Sequence, residues 1–250
     1  MRASIFPLPD GRIHPRPTMR VVISSARSLP RTPRVALPPL TTIYADDFLL
    51  VLDKPAGLHA VPGRGEDKQD CLSARAQAHY ADALVVHRLD RDTSGLMLMA
   101  RGKAMQSALS RAFIARAVDK RYVAVVQGIV APPDSADGWG EIDLPIFLDW
   151  PLRPRRVIDS RGQPSLTRWR VLPGEAPAGC TRLELEPFTG RSHQLRVHLE
   201  AIGHPILGDS LYGDESSRAR AGRLLLHAWR LSFVHPVSAR PLTLESPPPF

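Results

Sequence analysis

Near the middle of the chain a short polar segment is held between two apolar runs. Leu84-Val85-Val86 leads into His87-Arg88-Leu89-Asp90-Arg91-Asp92-Thr93-Ser94-Gly95, and Leu96-Met97-Leu98-Met99 leads out. Short continuous apolar runs bounded by polar residues read as buried strands. The polar segment is then a loop between two strands, the kind of place where a rigid scaffold presents reactive groups. Asp90 sits at its centre. The bland alternative is a turn whose Asp and Ser side chains satisfy only nearby backbone groups, so the rest of the chain has to decide.

The surrounding pattern mixes strands and helices. Ile43 to Gly57 reads as a strand, a turn at Asp46-Asp47, a buried strand and a turn at Pro55–Gly57. Val61–Gly65 is a further loop, followed by a helix over Ser73–Tyr80. Lys103–Ala117 carries Met105, Ala108, Leu109, Ala112 and Phe113 at three- and four-residue spacing. That is an amphipathic helix, and such a stripe is core far more often than a binding face. Lys120–Val126 and Thr181–Glu186 alternate as strands, and 131–165 reads as loop-rich. Ser192–Ile202 reads as a helix with Ser192 as N-cap and Gly203 and Pro205 as stop. Leu224–Ala228 and Trp229–Val234 are strand-like. No internal repeat or second domain is visible.

Charge is unevenly distributed. The net charge is +8, yet residues 1–36 hold seven Arg against the single acid Asp10, a surplus of six, while the remainder holds 26 basic and 24 acidic residues. Residues 1–38 are rich in Pro, Arg and Ser without periodicity and read as a disordered leader. A basic leader favours polyanions such as RNA through counterion release. A leader without a specific job stands as an equal alternative, and Met19 offers a later translation start. No apolar run approaches the roughly 20 residues of a membrane helix, and no secretory h-region is present. Cys71 and Cys180 sit in no metal-ligand spacing and suit a reducing cytoplasm.

The polar loop is one of four blocks that together resemble the RluA-type pseudouridine synthases. The others are Asp53-Lys54-Pro55-Ala56-Gly57-Leu58, then Lys120-Arg121-Tyr122-Val123-Ala124-Val125-Val126-Gln127-Gly128. The last is Thr189-Gly190-Arg191-Ser192-His193-Gln194-Leu195-Arg196-Val197-His198-Leu199, continuing through Gly203-His204-Pro205-Ile206-Leu207-Gly208-Asp209 to Tyr212-Gly213. Their order and spacing agree with the family, and the likeness runs from about residue 41 to residue 250. Asp143-Leu144-Pro145-Ile146, Asp149-Trp150-Pro151 and Arg153-Pro154 further resemble the middle segment of the dual-specificity members.

The resemblance implies an α+β fold: a mixed, mostly antiparallel sheet with flanking helices and loops, forming a single catalytic domain over 39–250. It implies an enzyme that isomerises uridine to pseudouridine in structured RNA. The expected partners are a stem-loop of 23S ribosomal RNA and the anticodon stem-loop of certain tRNAs. A cytoplasmic monomer is expected. The reaction breaks the N1–C1′ bond and makes a C5–C1′ bond with no net oxidation, so neither a cofactor nor a metal is expected. It does need a carboxylate beside the sugar, as nucleophile or as base, and a base flipped out of the RNA stack.

The resemblance makes Asp90 that carboxylate. Burial would raise its pKa, so a cation should offset it, and the resemblance names Arg196, whose guanidinium can grip a carboxylate with two prongs. Tyr122 is implied to pack on the flipped uracil and to take part in the C5 proton transfer. Arg88 is implied to fill the hole left by the extruded base, with a phosphate contact as its rival. Arg191, Arg153 and Arg155 are candidate RNA contacts, with a solvated loop an equal alternative for the last two. Leu225 and Leu226 are candidates for the uracil pocket wall, or plain core. His193 and His198 lie five residues apart, about 140° around a helix. Helical zinc pairs sit four apart, so these histidines and His87 read as structural.

Other classes fit less well. A kinase needs His-Arg-Asp, a Gly-rich loop and Asp-Phe-Gly, none of which is present. A glycosidase needs a second carboxylate, for which Asp92 is the nearest candidate, and nothing else supports sugar binding. The remaining rivals are an RNA-binding protein or chaperone of the same fold, and a synthase confined to one of the two RNAs.

Overall fold

Leu49–Leu52 and Leu96–Met99 lack polar alternation because both of their faces are covered. They form part of β2 (Leu49–Lys54) and β4 (Ser94–Arg101), which pair antiparallel with Val51 opposite Leu98. Successive side chains point to opposite faces of a strand, and the core divides accordingly. Leu50, Leu52, Met97 and Met99 face one apolar cluster, whereas Leu49, Val51, Leu96 and Leu98 face another. The computed structural model of the chain describes residues 40–250, and the Arg-rich leader read over 1–38 lies outside the described residues.

One sheet organises the described residues. Its main path runs β1 (Thr41–Ala45), β2, β4, β11 (Leu226–Val234), β5 (Val118–Gln127), β10 (Cys180–Pro187), β9 (Leu166–Val171) and β6 (Gly140–Asp143). In addition β3 (Ala83–Val85) pairs with β4, and β12 (Pro241–Glu245) with β11. Every pairing in this sheet is antiparallel except β4 with β11. Helices α1 (Leu72–His79) and α3 (Gln194–Ala201) add Leu72, Ala76, Leu195 and Leu199 to one face. Helix α2 (Gly102–Ile114) adds Met105 and Leu109 to the other. The architecture is α+β with a mixed, mostly antiparallel sheet.

Several sequence expectations shift. Helix α3 begins at Gln194, and Ser192 does not cap it; the N-cap is His193, at a left-handed φ of 59° and with no side-chain capping bond. The Gln194 side chain instead ties down the segment before the helix: its Oε1 accepts from Thr189 Oγ1 at 2.7 Å and from the Arg191 amide at 3.0 Å. Helix α1 is capped by Cys71, whose Sγ accepts from the Ala74 amide. The stretch read as loop over 131–165 contains β6 and a two-stranded ribbon of β7 (Ile146–Phe147) and β8 (Val157–Ile158). The two strand-like segments at 224–234 join into β11, with a register shift between Ala228 and Arg230. Strands β9 and β12 and the short helix α4 (Glu215–Ala219) were not anticipated.

Candidate active site

The loop between β3 and β4 is fastened from beneath by Lys54, which is fully buried at the end of β2. Its Nζ donates to the carbonyls of Pro55 at 2.9 Å, Leu58 at 2.8 Å and Arg91 at 2.8 Å. Three acceptors match the three donors of an ammonium. Burial pushes Lys54 down to about 7, against the pull of Asp92 and Asp90. The Gly57 amide also donates to the Arg91 carbonyl, at 2.9 Å. The Lys-Pro-Ala-Gly turn and the Asp90 loop are thus one hydrogen-bonded unit. At the far end of the loop, Gly95 (φ 108°) lets β4 lie against β11, where a Cβ would stand 2.3 Å from the Ala228 carbonyl oxygen. Ser94 shares a 2.8 Å hydrogen bond with His227 Nδ1.

A cleft of about 550 Å³ opens over this loop, within the range usual for a ligand site. Asp90, Arg88, Tyr122, Arg191, Arg196 and Leu226 all line it. The Asp90 side chain keeps 22% of its exposure, and its Oδ2 lies 3.6 Å from Arg196 Nη1. The two-pronged grip expected between these residues goes elsewhere. Arg196 Nε and Nη2 donate at 2.7 Å each to the two oxygens of Asp209, which is wholly buried. Asp209 follows the turn at Gly208 (φ 72°), and its Oδ1 also accepts from the Leu211 and Tyr212 amides, which hold the carboxylate in place. Burial alone would raise the Asp209 carboxyl, but these hydrogen bonds and the Arg196 charge outweigh it and hold the carboxyl below the ordinary range. Arg196 is left with its third nitrogen directed toward Asp90, a cation between two carboxylates.

Tyr122 lies on β5 between Ala228 of β11 and Leu185 of β10. Burial and then the Asp90 charge push its hydroxyl well above the usual phenol range, so it stays protonated. Leu226 forms part of the cleft wall, but Leu225 does not. It is half-buried and packs with Val125 and Leu207 as well as against the apolar cluster that contains Leu226. Arg88 and Arg191 are exposed at the rim. Arg153 and Arg155 lie outside the cleft lining, on the loop before β8. Arg153 lies over the Trp150 ring at 3.6 Å, and Arg155 over Tyr212 at 5.4 Å.

The three histidines read as structural, His87, His193 and His198, have protein partners. His87 Nε2 accepts from the Leu98 amide at 2.9 Å while its ring stacks on Phe113, and burial pushes it down to about 3. His198 bonds Thr167 Oγ1 at 2.9 Å and the Leu144 carbonyl at 3.0 Å. His193, on the cleft wall, shares a 2.9 Å hydrogen bond between its Nδ1 and the Tyr212 hydroxyl.

A family model described as RNA pseudouridylate synthase matches residues 48–201. The dual-specificity RNA pseudouridine synthase RluA of Escherichia coli K12 is 44% identical over 214 residues, covering 85% of this chain and 95% of the relative. The chain belongs to the RNA pseudouridylate synthase family. A second RluA relative, from Vibrio cholerae, is 45% identical over 202 residues, with 80% of each protein covered. Among solved structures, human RNA pseudouridylate synthase domain containing 1 superposes with a TM-score of 0.69 at 31% identity. The match covers 85% of this chain and 84% of the human one. As a member of the family, this protein is an isomerase that converts uridine to pseudouridine, and its substrate is RNA.

Sequence reading passed over four residues that build the site: Lys54, Asp209, Tyr212 and Gln194. All lie inside the family blocks, but their contacts reach residues distant in sequence: Lys54 to Arg91, Asp209 to Arg196, Tyr212 to His193 and Gln194 to Thr167. Their signal was position within a block, with no periodicity or spacing to give a partner.

Proposed function

We propose that Asp90 is the catalytic carboxylate of uridine isomerisation, acting on a nucleotide flipped into the cleft. The observation that carries this is the pairing of Asp90 with the buried Arg196 at 3.6 Å in a cleft floored by Tyr122. Whether it attacks C1′ or removes a proton from the sugar, the group must be ionised beside the ribose. A nearby guanidinium favours that ionised form. Cleavage of N1–C1′ and closure of C5–C1′ leave a C5–H bond to break and N1 to gain a proton. A protonated Tyr122 suits packing on the uracil and relaying the C5 proton, not acting as a phenolate base. Arg88 at the rim suits occupying the space vacated by the extruded base, and Arg191 beside it suits a phosphate.

The substrates we propose are a 23S ribosomal RNA stem-loop and a tRNA anticodon stem-loop, with residues 39–250 as the catalytic unit of a cytoplasmic monomer. Support for two RNAs comes from the dual-specificity relatives at 44–46% identity over 78–85% of this chain. Among the described residues no helix is long and apolar enough to cross a membrane. The test is tritium release from both RNAs labelled at uridine C5. Asp90→Asn should reduce release by about a thousandfold or more while RNA affinity stays within about threefold. Release by the mutant at the wild-type rate would remove Asp90 from the chemistry. Release from one RNA only would narrow the specificity, and sedimentation of the RNA-free protein as a dimer would overturn the monomer.

A further inference from the structure

Trp150 is 62% exposed, the largest side chain among the exposed apolar residues. An exposed indole presents a broad flat face of the kind on which nucleic-acid bases stack. It is not carried on a loose loop. Successive turns close it: the Leu152 amide donates to the Asp149 carbonyl at 3.2 Å and the Arg155 amide to the Leu152 carbonyl at 3.0 Å. Arg153 fixes the indole from one side, with its guanidinium 3.6 Å from the ring centre and its Nε donating to the Trp150 carbonyl at 3.1 Å. The loop is also tied to the cleft. The Arg156 amide donates to the Tyr212 hydroxyl at 2.7 Å, and that hydroxyl bonds His193 on the cleft wall. Arg153, Arg155 and Arg156 outnumber the one acid of the segment, Asp149.

We propose that Trp150 is a stacking site for an unpaired base of the substrate RNA, close to the uridine that enters the cleft. The inference rests on the reading of that cleft as the place of reaction. A flat ring with one face covered by a guanidinium and the rest open offers a surface on which a base can stack, as single-stranded nucleic-acid sites do. The positive loop around it attracts the backbone that carries the base. Arg153 then acts on RNA through the indole it supports, a role different from both alternatives weighed from sequence, a direct RNA contact and a solvated loop.

The test measures equilibrium binding to the tritium-labelled tRNA and 23S stem-loops used for turnover. Trp150→Ala and Trp150→Leu should weaken Kd roughly tenfold or more, and Trp150→Phe, which keeps an aromatic face, should stay within about threefold. The slope of log affinity against log salt should not change, because no phosphate contact is lost. Single abasic substitutions placed along the RNA loop should include one that weakens the wild type but adds nothing in Trp150→Ala. Equal affinity for Trp150→Ala and wild type would overturn the proposal, as would a Phe variant as weak as Ala, a Leu variant as tight as wild type, a changed salt slope, or abasic effects additive at every position. Failure of the cleft reading would show separately, as absent tritium release by the wild type with binding intact.

Discussion

The Arg196 guanidinium divides its donors between two carboxylates, and the stronger share goes to Asp209. A buried charge without its partner is expensive, about 3–5 kcal/mol, so Asp209 makes a buried Arg196 tolerable and fixes the direction of its third nitrogen. Asp209→Asn should cost about 3 kcal/mol in urea unfolding and lower turnover at saturating RNA by about a hundredfold, the scale expected from misplacing a reacting group by an ångström. RNA affinity should change little. A variant with full turnover would show that Arg196 needs no such holder. The pH dependence follows from the depressed carboxyl. Below the ordinary value of 3.8 the unfolded chain takes up protons that the folded one resists. The contribution of Asp209 is therefore complete above that value and is lost as pH falls through the lower folded one. Unfolding midpoints measured on acidification below about pH 4 should drop more steeply for wild type than for Asp209→Asn. That Asp90 and Arg196 face one another was legible because both lie in long motif blocks. The identity of Arg196's tighter partner was not, since nothing along a chain tells which of two carboxylates a guanidinium will face.

At the scale of elements, the Asp90 loop owes its position to contacts made by residues on either side. Lys54 and Gly57 hold the carbonyl of Arg91, one residue beyond Asp90, and Gly95 sets the start of β4 against β11. Gly95→Ala would meet both a disfavoured φ and the Ala228 backbone. The parallel β4–β11 contact is limited to Ser94 and Gly95, opposite His227 and Ala228, so the mutation should separate the strands there. We expect a loss above about 4 kcal/mol, read as a fall in the thermal midpoint, with turnover lost in whatever still folds. A stable, active variant would mean that this junction does not position the loop. Strands with continuous apolar runs, such as β2 and β4, were readable from the sequence, as were the amphipathic α2 and most of α3. Strand β9, with Arg168 and Arg170 salt-bridged at its surface, and the short ribbon of β7 and β8 were not. Their sequences show little alternation, and they are strands because β10 and β6 pair with β9 and because β7 and β8 pair with each other.

Over the whole molecule, charge and chemistry are separated along the chain. The surplus of six positive charges lies in residues 1–36, whereas the remaining 26 basic and 24 acidic residues nearly balance. Many of the arginines in the described part are already committed: Arg75 to Asp70, Arg101 to Asp82, Arg170 to Glu184 and Arg196 to Asp209. We expect long-range attraction of RNA to fall mainly to residues 1–36, and local recognition to the rim arginines and the Trp150 loop. A protein of residues 39–250, cut ahead of β1, should turn over tritiated RNA at saturation as the full chain does. Its binding should depend less on salt, since each phosphate contact contributes roughly 0.7–0.9 to the slope of log affinity against log salt. If the leader engages RNA through most of its charges, the slope should fall by about 4, with the largest loss of affinity at low ionic strength. An unchanged slope would assign the attraction to the folded part after all, and would make its few unpaired rim arginines the main source of RNA affinity.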